Sequence, residues 1–139
     1  MNECVFCQIV TKKTSAYVVY EDIDTIAFLD KFPQSKGHIQ LIPRKHYRWI
    51  YDIEDIGNFF TTAQNIIHAI IPILGADHVT LGTFGNQIAH AHLWIVPQYR
   101  HSLKIAEGQG IQATHMTMTA LAQNLRLNLM KEVQHITEL

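Results

Sequence analysis

The chain is short of the features that mark a disulfide scaffold, a membrane span or a polyanion binder. It has two cysteines, Cys4 and Cys7, and they stand three apart. In a reducing compartment such a pair does not make a structural staple. An excess of one charge is also missing. Eleven Lys and Arg face twelve Asp and Glu, a net charge of -1, so nothing favours non-specific binding to nucleic acid. No apolar run reaches the ~20 residues of a membrane span. The most apolar stretch, Ile66 to Leu74, is closed by Pro72 and Gly75. A basic-then-apolar signal pattern is lacking at the N-terminus, so a cytoplasmic location is expected. There is no internal repeat and no linker.

The 139 residues suit one domain, 47% apolar and 17% charged, which argues for an ordered globule. Nine histidines is a high count. Two of them fall in the stretch around which the chain is organised, Asn86 to Pro97. It reads as a strand. Alternation puts Ile88, His90, His92, Trp94 and Val96 on one face, and the apolar Ala89, Ala91, Leu93 and Ile95 on the other. Gly85 and Asn86 supply a turn before it, and Pro97 ends ladder donation after it.

Four further strands are expected: Tyr17 to Tyr20, Thr25 to Asp30, His38 to Pro43, and Val79 to Phe84. Lys31 to Gly37 is a loop by its Pro, Ser and Gly. Asp52 is placed to cap a helix from Ile53 to about Ile71, with Ile56, Phe59, Phe60, Ala63, Ile67 and Ile70 as its apolar stripe and Pro72 and Gly75 as its stop. Arg100 to Gly110 reads as a loop. A second helix from about Thr114 to Glu138 carries Met118, Leu121, Ala122, Leu125, Leu129, Val133 and Ile136 on one side. Strands in a run, one long inserted helix and a terminal helix point to an α+β fold with a mainly antiparallel five-stranded sheet. The short connection at 22–24 supports a hairpin. Residues 1–100 are expected to form the main domain, with the loop and helix of 101–139 packing on it.

Cys4 and Cys7 are candidates for a metal knuckle, which needs two more ligands from elsewhere in the chain; thiolates and imidazoles suit zinc, a borderline-soft ion. A rival arrangement has His90 and His92 on one catalytic metal. That would cost His92 its lone pair.

The motifs resemble the histidine triad family, in particular its bacterial branch with an N-terminal Cys-x-x-Cys. They are Cys4 to Val10, Val19-Tyr20-Glu21-Asp22, Ala27-Phe28-Leu29-Asp30, Gly37-His38, Ile42-Pro43-Arg44-Lys45-His46, Gly85-Asn86-Gln87 and His90 to Pro97. The resemblance covers residues 4 to about 100. It implies zinc on Cys4, Cys7, His46 and His90. It implies a purine nucleotide, or a nucleotide conjugate, with its base between Val5, Phe6, Ile9 and Phe28 and its ribose on Asp30. It makes His92 the nucleophile of a hydrolase or nucleotidyl transferase. It also implies a homodimer. An acceptor-only carboxylate at Asp30 suits the two donors of a cis-diol. Asn86 and Gln87 are candidates for the phosphate or leaving group, or simply serve the turn. Arg100 and His101 are weaker phosphate candidates. His38 either orients a neighbour or is a polar strand residue. The chain departs from the family pattern at two places: the third histidine position is Trp94, and the Arg expected after Pro97 is Gln98.

Overall fold

The computed structural model describes residues 4–100 and 115–137, those from 131 onward as backbone only. The order is α1 (Val5–Val10), β1 (Tyr17–Glu21), β2 (Thr25–Leu29), β3 (Ile39–Pro43), a 3-10 turn (Ile50–Asp52), α2 (Ile56–Leu74), β4 (His78–Gly82), β5 (Leu93–Gln98) and α3 (His115–Thr137). The strands form one sheet in the order β1-β2-β3-β5-β4, antiparallel at every pairing. The fold is α+β, as the pattern of strands and helices predicts.

The β1–β2 hairpin is set by Asp22, whose Oδ1 accepts from the amides of Asp24 (2.8 Å) and Thr25 (2.7 Å). Alternation then gives the sheet two different faces. Ala27, Leu29, Ile39, Leu41, Leu93 and Ile95 point into the larger core. There they meet Phe59, Ala63, Ile66 and Ile70 of α2 and Met118, Ala122, Leu125 and Leu129 of α3. Ile26, Phe28 and Ile42 point the other way, under Phe6 and Ile9 of α1. Beyond that small patch the second face carries Asp30, His38, Gln40 and Trp94.

The inserted helix departs from expectation at both ends. Ile50 and Ile53 are both buried, and Ile53 is extended at φ -62°, ψ 123°. The chain therefore breaks there, and the helix restarts under Asp55, which accepts from the Asn58 amide. Asp52 instead holds the 3-10 turn by accepting from the Trp49 amide at 3.2 Å. Pro72 does not stop α2. It sits in the last turn, where its missing N–H frees only one carbonyl near the exposed end, and Gly75 ends the helix at φ +69°. Along the stripe, Phe59, Ala63 and Ile70 are buried, whereas Ile56 and Phe60 are exposed; Ile66 and Ala69 take the inner positions instead. Of the C-terminal stripe, Leu121 is half-buried, and the side chains of Val133 and Ile136 lie outside the described residues. So does the expected loop beyond Arg100.

Gly37 needs to be glycine. Its φ is +86°, and a Cβ there would lie 2.5 Å from Leu74 Cδ1.

Candidate functional site

The fifth strand is shorter than its alternation suggests: β5 begins at Leu93, not Asn86. The residues before it leave the ladder because their polar groups bond elsewhere. The Ala91 amide donates to the Tyr47 carbonyl at 2.7 Å. His90 Nε2–H donates to the Pro43 carbonyl at 2.9 Å. His92 Nδ1–H donates to the carbonyl of His90, two residues back, at 2.8 Å. Thr83 Oγ1 donates to the His92 carbonyl at 2.7 Å. These bonds turn both imidazoles inward, so His90 and His92 are buried. Ala91 does reach the larger core, but Ala89 is exposed.

The same bonds define the tautomers. His90 keeps its Nδ1 lone pair facing a cluster of donors: Cys4 Sγ at 3.4 Å, Cys7 Sγ at 3.5 Å and His46 Nδ1 at 3.1 Å. Cys7 Sγ also lies 3.2 Å from His46 Nδ1. All four ligand atoms fall within 4.8 Å of one another. Metal bonds of about 2.3 Å to sulfur and 2.0–2.1 Å to nitrogen, at tetrahedral angles, put neighbouring ligand atoms ~3.3–3.8 Å apart. The set fits a metal ion with little adjustment. Three parts of the chain deliver it: α1, whose N-cap is Cys4, the segment after β3 that carries His46, and the segment before β5 that carries His90. The Pro43 carbonyl provides the outer hydrogen bond that usually orients a ligating histidine.

Electrostatics agree with a cation at the centre. Burial first, and the neighbouring Cys4 second, push the Cys7 thiol up to about 11. Burial, with further lowering by His46 and His92 against the Pro43 bond, pulls His90 down to about 4. So many lone pairs facing one another favour a positive ion among them.

His92 has the opposite arrangement. Its Nδ1 carries the hydrogen, so its Nε2 holds the lone pair. Phe6 packs edge-on against both rings, with centroids 5.8 Å from His90 and 5.7 Å from His92, and it meets Phe28 at 5.5 Å. Ile9 and Phe28 share the small apolar patch with Phe6, while Val5 is exposed at 38%. Asn86 and Gln87 are exposed on the loop that follows Gly85. That loop is pressed onto Trp49: a Cβ on Gly85 would lie 2.1 Å from the indole ring.

At the other end of this face, Asp30 is buried. Its Oδ1 accepts from the Phe32 amide at 2.8 Å, and its Oδ2 accepts from Gln40 Nε2 at 2.9 Å. His38 is fully buried; its Nδ1 accepts from the Gln34 amide at 3.0 Å, and its Nε2 lies 3.7 Å from Asp30 Oδ2. Burial lowers the His38 pKa against the pull of Asp30. Trp94 stands beside Gln40 across β3 and β5. Its ring packs edge-on against His38 at 4.6 Å and Phe84 at 4.8 Å.

Arg100 does not approach the site, because its guanidinium pairs with Asp77 at 3.1 Å. His101 lies outside the described residues. Sequence reasoning did not find the Gln40–Asp30 bond, the Pro43 carbonyl or Phe84. A glutamine inside an otherwise apolar strand was the available signal for the first.

One face of the antiparallel sheet carries a Cys2His2 cluster that could hold a metal ion and, apart from it, a buried carboxylate. The chain belongs to the HIT domain family, which it matches over residues 11–101. A HIT-like protein of Saccharolobus solfataricus is 37% identical over 103 residues, 69% of this chain and 74% of that one. An adenylylsulfatase of Arabidopsis thaliana is 29% identical over 123 residues, 75% of this chain and 62% of that one. The crystal structure of a zinc-bound histidine triad family protein from Mycobacterium smegmatis superposes with a TM-score of 0.80 at 25% identity, covering 96% of this chain and 97% of that one.

Proposed function

We propose that the protein binds a purine nucleoside monophosphate or its conjugate on the open face and cleaves it through His92. The carrying observation is the 2.8 Å bond from His92 Nδ1–H to the His90 carbonyl, because it leaves Nε2 with the lone pair that attacks phosphorus. In the first step Nε2 forms a P–N bond as the bond to the leaving group breaks, and the leaving group takes a proton from solvent. In the second, water cleaves the P–N bond and frees the monophosphate. Phe6, Ile9 and Phe28, with Val5 at the rim, hold the base. Asp30 takes the ribose hydroxyls, and Asn86 and Gln87 lie on the phosphate side. The Arabidopsis relative, an adenylylsulfatase by name, supports an anhydride of a nucleoside monophosphate as the substrate class, and the family resemblance adds phosphoramidates.

The metal of this reading is zinc, held by Cys4, Cys7, His46 and His90. Its chemistry there is structural, closing four protein ligands and leaving His92 outside the set. The softness of the donors and the zinc-bound relative support that choice. A cytoplasmic homodimer completes the reading; sedimentation of the purified protein tests the assembly. Among the described residues no helix is long and apolar enough to cross a membrane.

A specific observation favours a second reading, in which the site binds nucleotide but turns over slowly. Trp94 occupies the third triad position and packs against His38 and Phe84. An indole has one N–H donor and no acceptor, and it neither takes up nor gives up a proton near neutral pH. General acid–base assistance contributes about 10²–10⁴ in rate, so turnover is expected to be slow. Titration with adenosine monophosphate and a turnover assay on an adenosine phosphoramidate separate the readings. Binding with slow cleavage that vanishes in His92→Ala, and rises in Trp94→His, is the expected result. Cleavage that survives His92→Ala places the nucleophile elsewhere. Absence of binding overturns both readings.

A further inference from the structure

We propose that Gln40 is a positioning residue for sugar recognition: its carboxamide aims the Asp30 carboxylate at the two hydroxyls of a ribose. This rests on the nucleotide reading above.

Asp30 receives one protein donor on each oxygen, the Phe32 amide on Oδ1 and Gln40 Nε2 on Oδ2. A carboxylate oxygen has two lone-pair directions, so one remains on each oxygen after these bonds. The two remaining directions are fixed by the two donors. A cis-diol offers two O–H donors from adjacent carbons and matches such a pair. Without Gln40, only Oδ1 is tied, and the carboxylate is free to turn about its own axis. His38 does not substitute, because its Nε2 stands 3.7 Å from Oδ2, beyond hydrogen-bond reach.

Gln40 is also an expensive residue for the fold. It lies in β3 between Phe28 and Trp94 in the cross-strand row and is only 8% exposed. Its Oε1 is buried with no partner. An orphaned buried acceptor is destabilising, so an apolar side chain would serve the strand better. Among the described residues three buried side-chain atoms lack a partner: Ser35 Oγ, His38 Nε2 and Gln40 Oε1. All three fall in the segment that runs from Asp30 to Gln40. Local violations of polar satisfaction gathered at one place mark a site built for something other than stability.

The test uses the metal-loaded full chain and two ligands, adenosine monophosphate and its 2′,3′-dideoxy analogue, titrated into wild type and Gln40→Met. Methionine keeps the length of the side chain and removes only the amide. The preference for the ribonucleotide should fall by about tenfold, the size of one hydrogen bond to a charged group, while the melting temperature stays within about 4 °C. In an Asp30→Ala background, Gln40→Met should change neither affinity. Gln40→Leu repeats the measurement should the methionine variant fail to fold. An undiminished preference in the variant overturns the role of Gln40 and leaves the nucleotide reading intact. So does a preference lost together with a fall in melting temperature of more than about 10 °C, because the amide would then be holding the strand. Wild type that binds neither ligand overturns the nucleotide reading, and this proposal with it.

Discussion

The two faces of the sheet come from the same five strands and have opposite characters. Among the described residues, nineteen buried apolar side chains form the cluster between the sheet and its two long helices. Five form the patch under α1. The large face is a continuous apolar cluster, with Tyr17, Tyr20 and Tyr47 packed at its margin. The small face is patchy, and its gaps hold two buried histidines of the His-x-His, His38, Asp30, Gln40 and Trp94. Adjacent residues of one strand serve different ends: Leu41 fills the core while Gln40 ties Asp30. Because alternation sends neighbours to opposite sides, a strand can be rigid on one face and chemically committed on the other. The Cys2His2 cluster, which could hold a metal ion, offers α1 a second tie beside so small an apolar patch. The cluster brings Cys4 and Cys7 at the start of α1 together with His46 and His90, which lie 39 or more residues further along the chain.

The sharpest division between the faces should appear with Phe59→Ala. This ring is 2% exposed in the large core, and its loss should cost about 3–5 kcal/mol of stability. Nucleotide affinity of the molecules still folded should hardly change. Denaturant melts paired with titrations measure both, and a large affinity loss would mean that the faces are mechanically coupled.

A strong chelator acts on the other face. Free metal at about a hundred times its dissociation constant stabilises a fold by about 2.7 kcal/mol, so chelation should lower the melting temperature by several degrees. The small face should open first, read as new exchange at the amides of α1 with those of α2 still protected. Uniform loss of protection would contradict the division. A metal content near zero in protein prepared without chelator would contradict the centre itself.

Asp30→Ala should weaken ribonucleotides by about 1–3 kcal/mol and the dideoxy analogue much less, with the large core untouched. Equal losses for both ligands would remove Asp30 from sugar recognition.

The smallest effect comes from acid. His90 is held neutral, with its pKa pulled down to about 4 by burial first. Its folded value lies below its unfolded one, near 6.5. The stability linked to it is therefore present above about pH 6.5 and is lost as the pH falls from there toward about 4. Protons competing for the metal ligands act in the same direction. The melting temperature should drop between pH 7 and 5, mostly on the small face. A stability that rises over that interval would refute the assignment.

Much of this was legible in the residues themselves. Period-two alternation, a local steric property, gave the faces of β5, and it separates Leu93 and Ile95 from Trp94 and Val96 as observed. The Asp22 turn, the two long helices and the Cys4–Cys7 pair were likewise visible as residue types at telling positions, whereas His46 and His90 were singled out by the family resemblance. Other features depended on distant parts of the chain. The strand expected from Asn86 starts at Leu93 because the Tyr47 and Pro43 carbonyls, far away in sequence, take hydrogen bonds from Ala91 and His90. The helix expected at Ile53 begins at Ile56 because Ile50 and Ile53 both turn into the core.

The sequence by itself determined which side chains share a face within the regular part of β5, since that follows from backbone geometry between near neighbours. Only the tertiary structure decided which nitrogen of His92 keeps its lone pair, where Trp94 rests, and that Gln40 holds Asp30. Each of those depends on a partner that the folded sheet or a turn of the chain brings within about 3–5 Å, and hydrogen bonds and ring contacts act only at such range.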